Sequence, residues 1–165
     1  MGLVVFSCKQ PGKKNILFEL VENSGIDFVN KVQDNDTINI LNYRNFYNGG
    51  GVATGDINND GLPDVFFTAN QGSNKLYLNN GNLKFEDISV KAGFTNKQQY
   101  STGVVMADVN ADGWLDIFVC NAGSMHNASL RSNQLFINNH DLTFTESADK
   151  YGLKDSGYTT QVSFF

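Results

Sequence analysis

The chain has 165 residues, of which 41% are hydrophobic and 18% are charged, so it can bury a core of ordinary size. Its formal net charge is −5, but six of its 17 acidic residues lie in two short loops, and without those six the charge would be +1. This balance excludes the basic surface of a nucleic-acid-binding protein, and no stretch of the sequence is long and apolar enough to span a membrane.

Residues 1–14 form a leader in which a short apolar run, residues 3–6, precedes a small residue and Cys8. This pattern resembles the site at which bacterial lipoproteins receive their lipid, although the run is short and has no positive flank. Two interpretations stay open: a truncated lipoprotein signal with Cys8 as the membrane anchor, or an unstructured leader with an incidental cysteine. The other cysteine, Cys120, is predicted to be a small buried apolar residue, so no disulfide framework is expected.

Residues 15–165 are predicted to be an incomplete array of repeats. Two complete units run from about 46 to 94 and from about 101 to 153, and a third begins at about 158. Residues 17–26 are similar to the closing part of an earlier unit. The segments that match between the two complete units are 51–56 with 103–108, 74–80 with 133–139, and 83–85 with 142–144.

Each unit is predicted to hold four short strands: one before an acidic loop, one after it, and a hairpin. A short polar segment, helical in one interpretation, then leads to Gly93 or Gly152. In the first unit Asn80-Gly81 predicts the hairpin turn, because this pair readily takes positive φ angles. The second unit carries an insert at 123–132, which is predicted to be a surface loop.

Four-stranded units of about 50 residues predict an all-β fold, namely a partial β-propeller of about two complete blades with fragments of flanking blades. Two blades cannot close a ring. The exposed blade edges are therefore expected to need the rest of a propeller, or another chain, to cover them.

The two acidic loops, 56–64 and 108–116, place oxygen-bearing side chains at positions 1, 3, 5 and 9 and glycine at position 6. Ca²⁺ takes six to eight oxygen ligands, and the glycine permits the sharp turn that gathers them. One such loop could be an ordinary Asx turn, but two in the same register favour two Ca²⁺ sites. The predicted ligands are Asp56, Asn58, Asp60, the Leu62 carbonyl and Asp64 in the first loop, and Asp108, Asn110, Asp112, the Trp114 carbonyl and Asp116 in the second.

The loops, residues 47–53 and 74–79, and the spacing to Gly93 together resemble FG-GAP/VCBS repeats, the calcium-binding blades of integrin-like propellers. Within that family, the chain is similar to the bacterial proteins related to cartilage acidic protein, which often carry an ASPIC/UnbV domain. The resemblance covers roughly residues 17–165. It implies Ca²⁺ between the first two strands of each blade, an extracellular or cell-envelope location, and binding to proteins or glycans.

Other calcium-loop families agree less well with the sequence. An EF-hand requires a glutamate at position 12, where this chain has Phe67 and Val119. A dockerin-like docking module, the less favoured alternative, would continue into a helix, whereas the residues after both loops are typical of strands.

Enzyme motifs are lacking in the sequence. It has no Gly-x-Ser-x-Gly, His-Glu-x-x-His or Cys-x-x-Cys, and His126 and His140 are interpreted as solvated loop residues. We therefore expect a non-enzymatic binding or scaffolding module of a secreted or surface-anchored protein, an outer-membrane lipoprotein if Cys8 carries lipid. The alternative of a different class is the non-catalytic propeller portion of a glycan-active enzyme.

Overall fold

A computed structural model describes residues 17–95, 99–124 and 126–165; the leader with Cys8 lies outside these ranges. Two four-stranded antiparallel sheets, each with its strands in sequence order, make up nearly all the regular structure. The first blade consists of β1 (Val52–Gly55), β2 (Asp64–Phe67), β3 (Lys75–Asn79) and β4 (Phe85–Asp87). The second consists of β5 (Tyr100–Ala107), β6 (Asp116–Ala122), β7 (Gln134–Asn138) and β8 (Phe144–Glu146). The predicted all-β fold with two propeller-type blades and no closed ring is confirmed.

Two short helices accompany the sheets. Helix α1 (Ser89–Ala92) follows β4 and ends at Gly93, whose φ of 94° lets the amide of Phe94 donate back to the Ser89 carbonyl at 2.8 Å. A 3₁₀ helix, Ala128–Arg131, lies within the insert of the second blade. The described residues contain no helix long and apolar enough to cross a bilayer.

The segment after β8 forms hydrogen-bonded turns where the first blade has its helix. The amide of Tyr151 donates to the Ser147 carbonyl at 3.2 Å, and the amide of Leu153 donates to the Ala148 carbonyl at 2.8 Å. The interpretation of this closing segment as helical is therefore correct only for the first blade.

The hairpin turns are longer than the Asn80-Gly81 pair predicts. In the first blade the chain turns over residues 80–84, with the Asn80 amide donating to the Lys84 carbonyl at 2.8 Å. Positive φ angles continue past Gly81 to Asn82 and Leu83, at 52° and 54°. The turn therefore keeps the left-handed glycine of an Asn-Gly hairpin and adds two further left-handed residues after it.

The main core lies between the two blades. Phe66 and Leu76 of the first blade are fully buried together with Ile117 and Val119 of the second. Phe94, which directly follows Gly93, joins them, and its ring centroid lies 4.8 Å from those of both Phe66 and Phe136. Burial of each large apolar side chain contributes roughly 1.5–3 kcal/mol, so this shared core holds the blades to each other.

The opposite face of the second blade has its own cluster, Phe118, Cys120, Leu135 and Ala148, with Val162 packed against it. Cys120 is fully buried, and burial raises the pKa of its thiol to about 11, so it acts as a small apolar residue, as predicted.

The inner strands approach each other through glycine. A Cβ added to Gly51 would lie 2.8 Å from the Thr102 carbonyl oxygen, and one added to Gly103 would lie 2.6 Å from the Thr160 carbonyl oxygen. Any side chain at either glycine would force the strands apart. Residues 159–162 therefore lie against the second blade much as 102–105 lie against the first.

Candidate metal centres

Both acidic loops join the two inner strands of a blade, β1 to β2 and β5 to β6. The backbone turns through left-handed residues at positions 4 and 6: Asn59 and Gly61 have φ of 58° and 85°, and Ala111 and Gly113 have 60° and 87°. Strands on both sides of each loop exclude the helical flanks of an EF-hand or a dockerin-like module.

The first and third loop positions cap the turn. In the first loop, Asp56 accepts hydrogen bonds from the amides of Asp60 and Gly61 at 3.1 and 2.7 Å. The Asn58 side chain accepts from the Asp60 backbone amide through its Oδ1 at 3.2 Å and donates through its NH₂ to the Asp60 carboxylate at 2.9 Å. Asp60 in turn accepts from the Leu62 amide at 2.8 Å. Residues 56–62 are thereby held in one compact loop.

The ninth position is the buried one. Asp64 is fully buried, and its two carboxylate oxygens accept from the amides of Ile57 at 2.9 Å and Asn79 at 2.8 Å. Burial raises the pKa of Asp64, and the charges of Asp60 and Asp56 raise it further against the opposing hydrogen bonds. The carboxylate thus lies in a low-dielectric position next to like charges.

The second loop repeats every one of these contacts. Asp108 accepts from the amides at positions 5 and 6 at 3.1 and 2.8 Å, and Asn110 and Asp112 exchange the same bonds as their counterparts. Asp116 is buried and accepts from the amides of Val109 at 3.0 Å and Asn138 at 2.9 Å. Burial and the charges of Asp112 and Asp108 raise the pKa of Asp116 as well.

The charge around the loops differs from that of an ordinary turn. No lysine, arginine or histidine of the described ranges forms an ion pair with Asp56, Asp60 or Asp64. The second loop has one such neighbour, His140, whose Nε2 lies 3.1 Å from Asp112. Three acids within nine residues therefore stand almost uncompensated in each loop, which favours a bound cation.

The loops have oxygen ligands suited to a cation, but their acids are not gathered around one point. Within the described ranges, no three or more Asp, Glu, His or Cys side chains are gathered closely enough to hold a metal as they stand. The carboxylates accept from the loop's own amides instead. Apart from Asp112 Oδ2, which contacts both Asn110 and His140, each carboxylate oxygen retains a second lone pair. An all-oxygen donor set of carboxylates, amide and carbonyl fits a hard cation such as Ca²⁺.

Two asparagines that sequence reasoning did not single out support the buried acids. The amide NH of Asn79 holds Asp64, while its side-chain NH₂ donates to the Pro63 carbonyl at 2.9 Å. Asn138 does the same for Asp116 and the Leu115 carbonyl, at 2.9 and 3.1 Å. Both asparagines end the third strand of their blade. The Asn-Asn pair repeated at 79–80 and 138–139 was the sequence feature that could have identified them.

The loops also contact each other across the blade interface. The Asn138 side-chain NH₂ donates to the Ile57 carbonyl at 2.8 Å, and the Asn59 side-chain NH₂ donates to the Gly113 carbonyl at 3.2 Å. Both loops therefore lie on the same rim of the molecule, joined by side-chain amides.

Residues 56–119 match the family model described as the FG-GAP-like repeat. The chain carries an FG-GAP-like repeat. The match begins at the first residue of the first acidic loop and ends in β6, so it includes both loops and the whole outer part of the first blade.

Curated relatives of this FG-GAP-like repeat sequence agree with the match. Cartilage acidic protein 1 of Xenopus tropicalis is 38% identical over 90 residues, which are 54% of this chain and 14% of that protein. The mouse protein of the same name is 36% identical over 83 residues, covering 50% and 13%, and the human protein is 36% identical over 86 residues, covering 52% and 13%. The aligned region is thus a small part of each relative.

Proposed function

We propose that the chain is a non-catalytic FG-GAP-like repeat module in which two structural Ca²⁺ ions stabilise the blades and a face of the blades binds a protein or glycan. Asp56, Asn58, Asp60, the Leu62 carbonyl and Asp64 would hold one ion. The equivalent set, Asp108, Asn110, Asp112, the Trp114 carbonyl and Asp116, would hold the other.

The observation that carries the calcium proposal is the buried ninth acid of each loop. Asp64 and Asp116 are each buried beside two further carboxylates, and the pKa of each is raised by that burial and that charge. Such an arrangement is costly when no cation is bound, since the acids repel each other. A divalent ion turns the repulsion into attraction and stabilises the folded form by mass action.

Native mass spectrometry of the chain exchanged into Ca²⁺ tests the ligand assignment. We expect two ions per chain, and one ion in each of the single variants Asp60→Asn and Asp112→Asn, which keep the side-chain shape but remove a charged ligand. Asp149→Asn is the matched control, because it removes one negative charge from an exposed residue outside the loops.

Two ions in either loop variant would contradict the ligand assignment, and none in the unmodified chain would contradict calcium binding altogether. Loss of an ion in Asp149→Asn would show that net charge, and not the loops, retains the metal.

An extracellular or cell-envelope location follows from the same proposal. Millimolar calcium outside cells would keep weak sites of this kind occupied. The relatives are named for cartilage, a tissue that consists mainly of extracellular matrix, and this supports the same placement. Membrane attachment through lipid on Cys8 stays a prediction, to be checked by intact-mass measurement of the protein from a bacterial membrane fraction.

A further inference from the structure

Side-chain amides connect the two acidic loops across the interface between the blades. The Asn59 side-chain NH₂ in the first loop donates to the Gly113 carbonyl in the second at 3.2 Å. In the reverse direction, the Asn138 side-chain NH₂ at the end of β7 donates to the Ile57 carbonyl of the first loop at 2.8 Å, and this bond is buried. The bonds span 54 and 81 residues of sequence, so they form only when the blades are packed together.

The bonded residues lie directly beside predicted metal ligands. Ile57 and Asn59 occupy positions 2 and 4 of the first loop, on either side of the predicted ligand Asn58. Gly113 occupies position 6 of the second loop and follows the predicted ligand Asp112. A change in the backbone that repositions a ligand therefore also moves a residue that is hydrogen-bonded to the other blade.

Asn138 connects the first loop to the buried acid of the second. Its backbone amide donates to the Asp116 carboxylate at 2.9 Å, while its side chain donates to the Ile57 carbonyl. Asn79, the counterpart of Asn138 in the first blade, donates from its side chain to the Pro63 carbonyl of its own blade. Of these two asparagines, Asn138 alone combines support of a buried acid with a bond to the other loop.

A bound cation would change the bonds that set the backbone of each loop. Both loops lie within the described ranges, and their acids are not gathered around one point, because the carboxylates accept from the loops' own amides. In the first loop Asp56 accepts from the amides of Asp60 and Gly61, so turning its carboxylate toward a cation alters the backbone between them. Ile57 and Asn59 lie in that stretch and transmit the change to the second loop.

We propose that Asn59 and Asn138 are positioning residues that couple the two calcium sites, so that a cation in one loop raises the affinity of the other loop. The inference rests on the proposed function, because it requires both loops to bind calcium. A loop ordered by its cation holds its half of each bond in place, so the other loop loses less conformational freedom when its own cation binds. Such coupling is reciprocal, and we expect it to be about fivefold.

Repulsion between the two cations opposes this coupling. Salt screens the repulsion, with a Debye length of about 8 Å at 0.15 M ionic strength, so the test belongs in a volatile buffer of that strength. Replacing asparagine by alanine changes no charge. The repulsion is therefore the same in the unmodified chain and in the variants, and a difference between them reports the hydrogen bonds.

The first test is a calcium titration followed by native mass spectrometry, which counts chains with zero, one and two ions. The empty population times the doubly loaded population, divided by the square of the singly loaded population, cannot exceed one quarter for independent sites. We expect Asn59→Ala to lower this ratio about fivefold. The second loop has Ala111 at the equivalent position with a φ of 60°, so the fold accepts alanine there. Asn82→Ala is the matched control, because Asn82 is an exposed asparagine with a φ of 52° outside the loops.

Hydrogen exchange supplies a readout that a change in the first loop's own affinity would not imitate. In Asp112→Asn, only the first loop is expected to hold calcium. Saturating calcium should still slow exchange of the Gly113 amide in the second loop about fivefold. The slowing should be less than about twofold when the chain also carries Asn59→Ala, since one connection is then lost.

A second pair of variants tests the buried connection. Asn138→Ala should lower the population ratio at least as much as Asn59→Ala, because it removes the bond to Ile57. Asn79→Ala should leave the ratio unchanged, since its side chain bonds to Pro63 and Gly81 within its own blade.

An unchanged ratio in both Asn59→Ala and Asn138→Ala, or equal decreases in their two controls, would overturn the coupling. Exchange at Gly113 that does not respond to calcium in Asp112→Asn would overturn it as well. Two ions bound with these negative results would reject the coupling alone and leave the proposed function in place. An unmodified chain that binds no calcium would reject both.

Discussion

The two acidic loops have the same internal hydrogen bonds but different surroundings. The first forms no ion pair with a basic side chain of the described ranges, and it is tied to the second blade by its Asn59 side chain and by the bond from Asn138 to the Ile57 carbonyl. The second has His140 beside Asp112, with the Trp114 ring stacked on the imidazole at 4.6 Å. The nine-residue pattern thus determines the loop, while residues far away in sequence determine how each loop is compensated and anchored.

Calcium removal is the largest perturbation that bears on this comparison. At a free Ca²⁺ concentration 100 times its Kd, each site adds about 2.7 kcal/mol to the free energy of unfolding. Excess chelator should therefore lower the melting temperature by on the order of 10 °C for two sites. Asp60→Asn and Asp112→Asn should each remove about half of the chelator effect if the two loops bind equally. A melt that chelator does not change would contradict structural calcium in both loops.

Removal of the buried acids should have the next largest effect. Asp64→Ala and Asp116→Ala each leave two buried or part-buried amides without an acceptor, so we expect the free energy of unfolding in urea to fall by about 3 kcal/mol even in chelator. Equal losses would confirm that the two loops are structurally equivalent. A loss below about 1 kcal/mol in either variant would contradict the anchoring role of the ninth position.

The two asparagines that support the buried acids should differ by a smaller amount in their effect on stability. Asn79→Ala loses two side-chain bonds, one to the Pro63 carbonyl and one from the Gly81 amide. Asn138→Ala loses three, because its side chain donates to the carbonyls of both Leu115 and Ile57 and accepts from the His140 amide. The Asn138 variant should therefore be less stable than the Asn79 variant by about 1 kcal/mol in urea unfolding. Equal stabilities would mean that the bond to Ile57 across the blade interface contributes nothing.

His140 and its counterpart Gly81 allow the smallest effect to be measured. His140 has a φ of 67°, which glycine adopts without strain, so His140→Gly converts the second hairpin to the residue found in the first. Because this variant removes the imidazole that contacts the Asp112 carboxylate, it should bind calcium at the second loop about twofold more tightly than the unmodified chain.

Calorimetric titration on an Asp60→Asn background isolates that site. Gly81→His is the reverse exchange, and a Cβ there would meet only Leu62, at 3.8 Å. Equal calcium affinities of His140→Gly and the unmodified chain would show that the imidazole does not compete with the ion.

The sequence predicted the parts of the fold that depend on local pattern. Strand-like apolar runs at 65–69 and 117–121 identified the second strands, and the Asp-x-Asn-x-Asp-Gly spacing identified the loops. The hairpin turn lies where Asn80-Gly81 predicted it, but it spans five residues, because its length depends on the register of β3 and β4.

The rest depends on contacts that sequence spacing does not encode. Asp64 and Asn79 meet across 15 residues, but Asp116 and Asn138 meet across 22, because the insert lengthens the second blade. The contact between the rings of Tyr43 and Tyr100 is likewise visible only once the segment before β1 has been packed against the second blade. These tertiary contacts could not have been found from motifs alone.

The position of Phe94 has a practical consequence for anyone who divides this chain for expression. It belongs to the first unit by sequence, yet its ring contacts Phe136 and Phe144 of the second. A fragment that ends before β5 would leave that ring and Phe66 facing water, and one that starts at β5 would lose the cover over Ile117 and Val119. The smallest soluble unit should therefore contain both sheets, and single-blade fragments should aggregate.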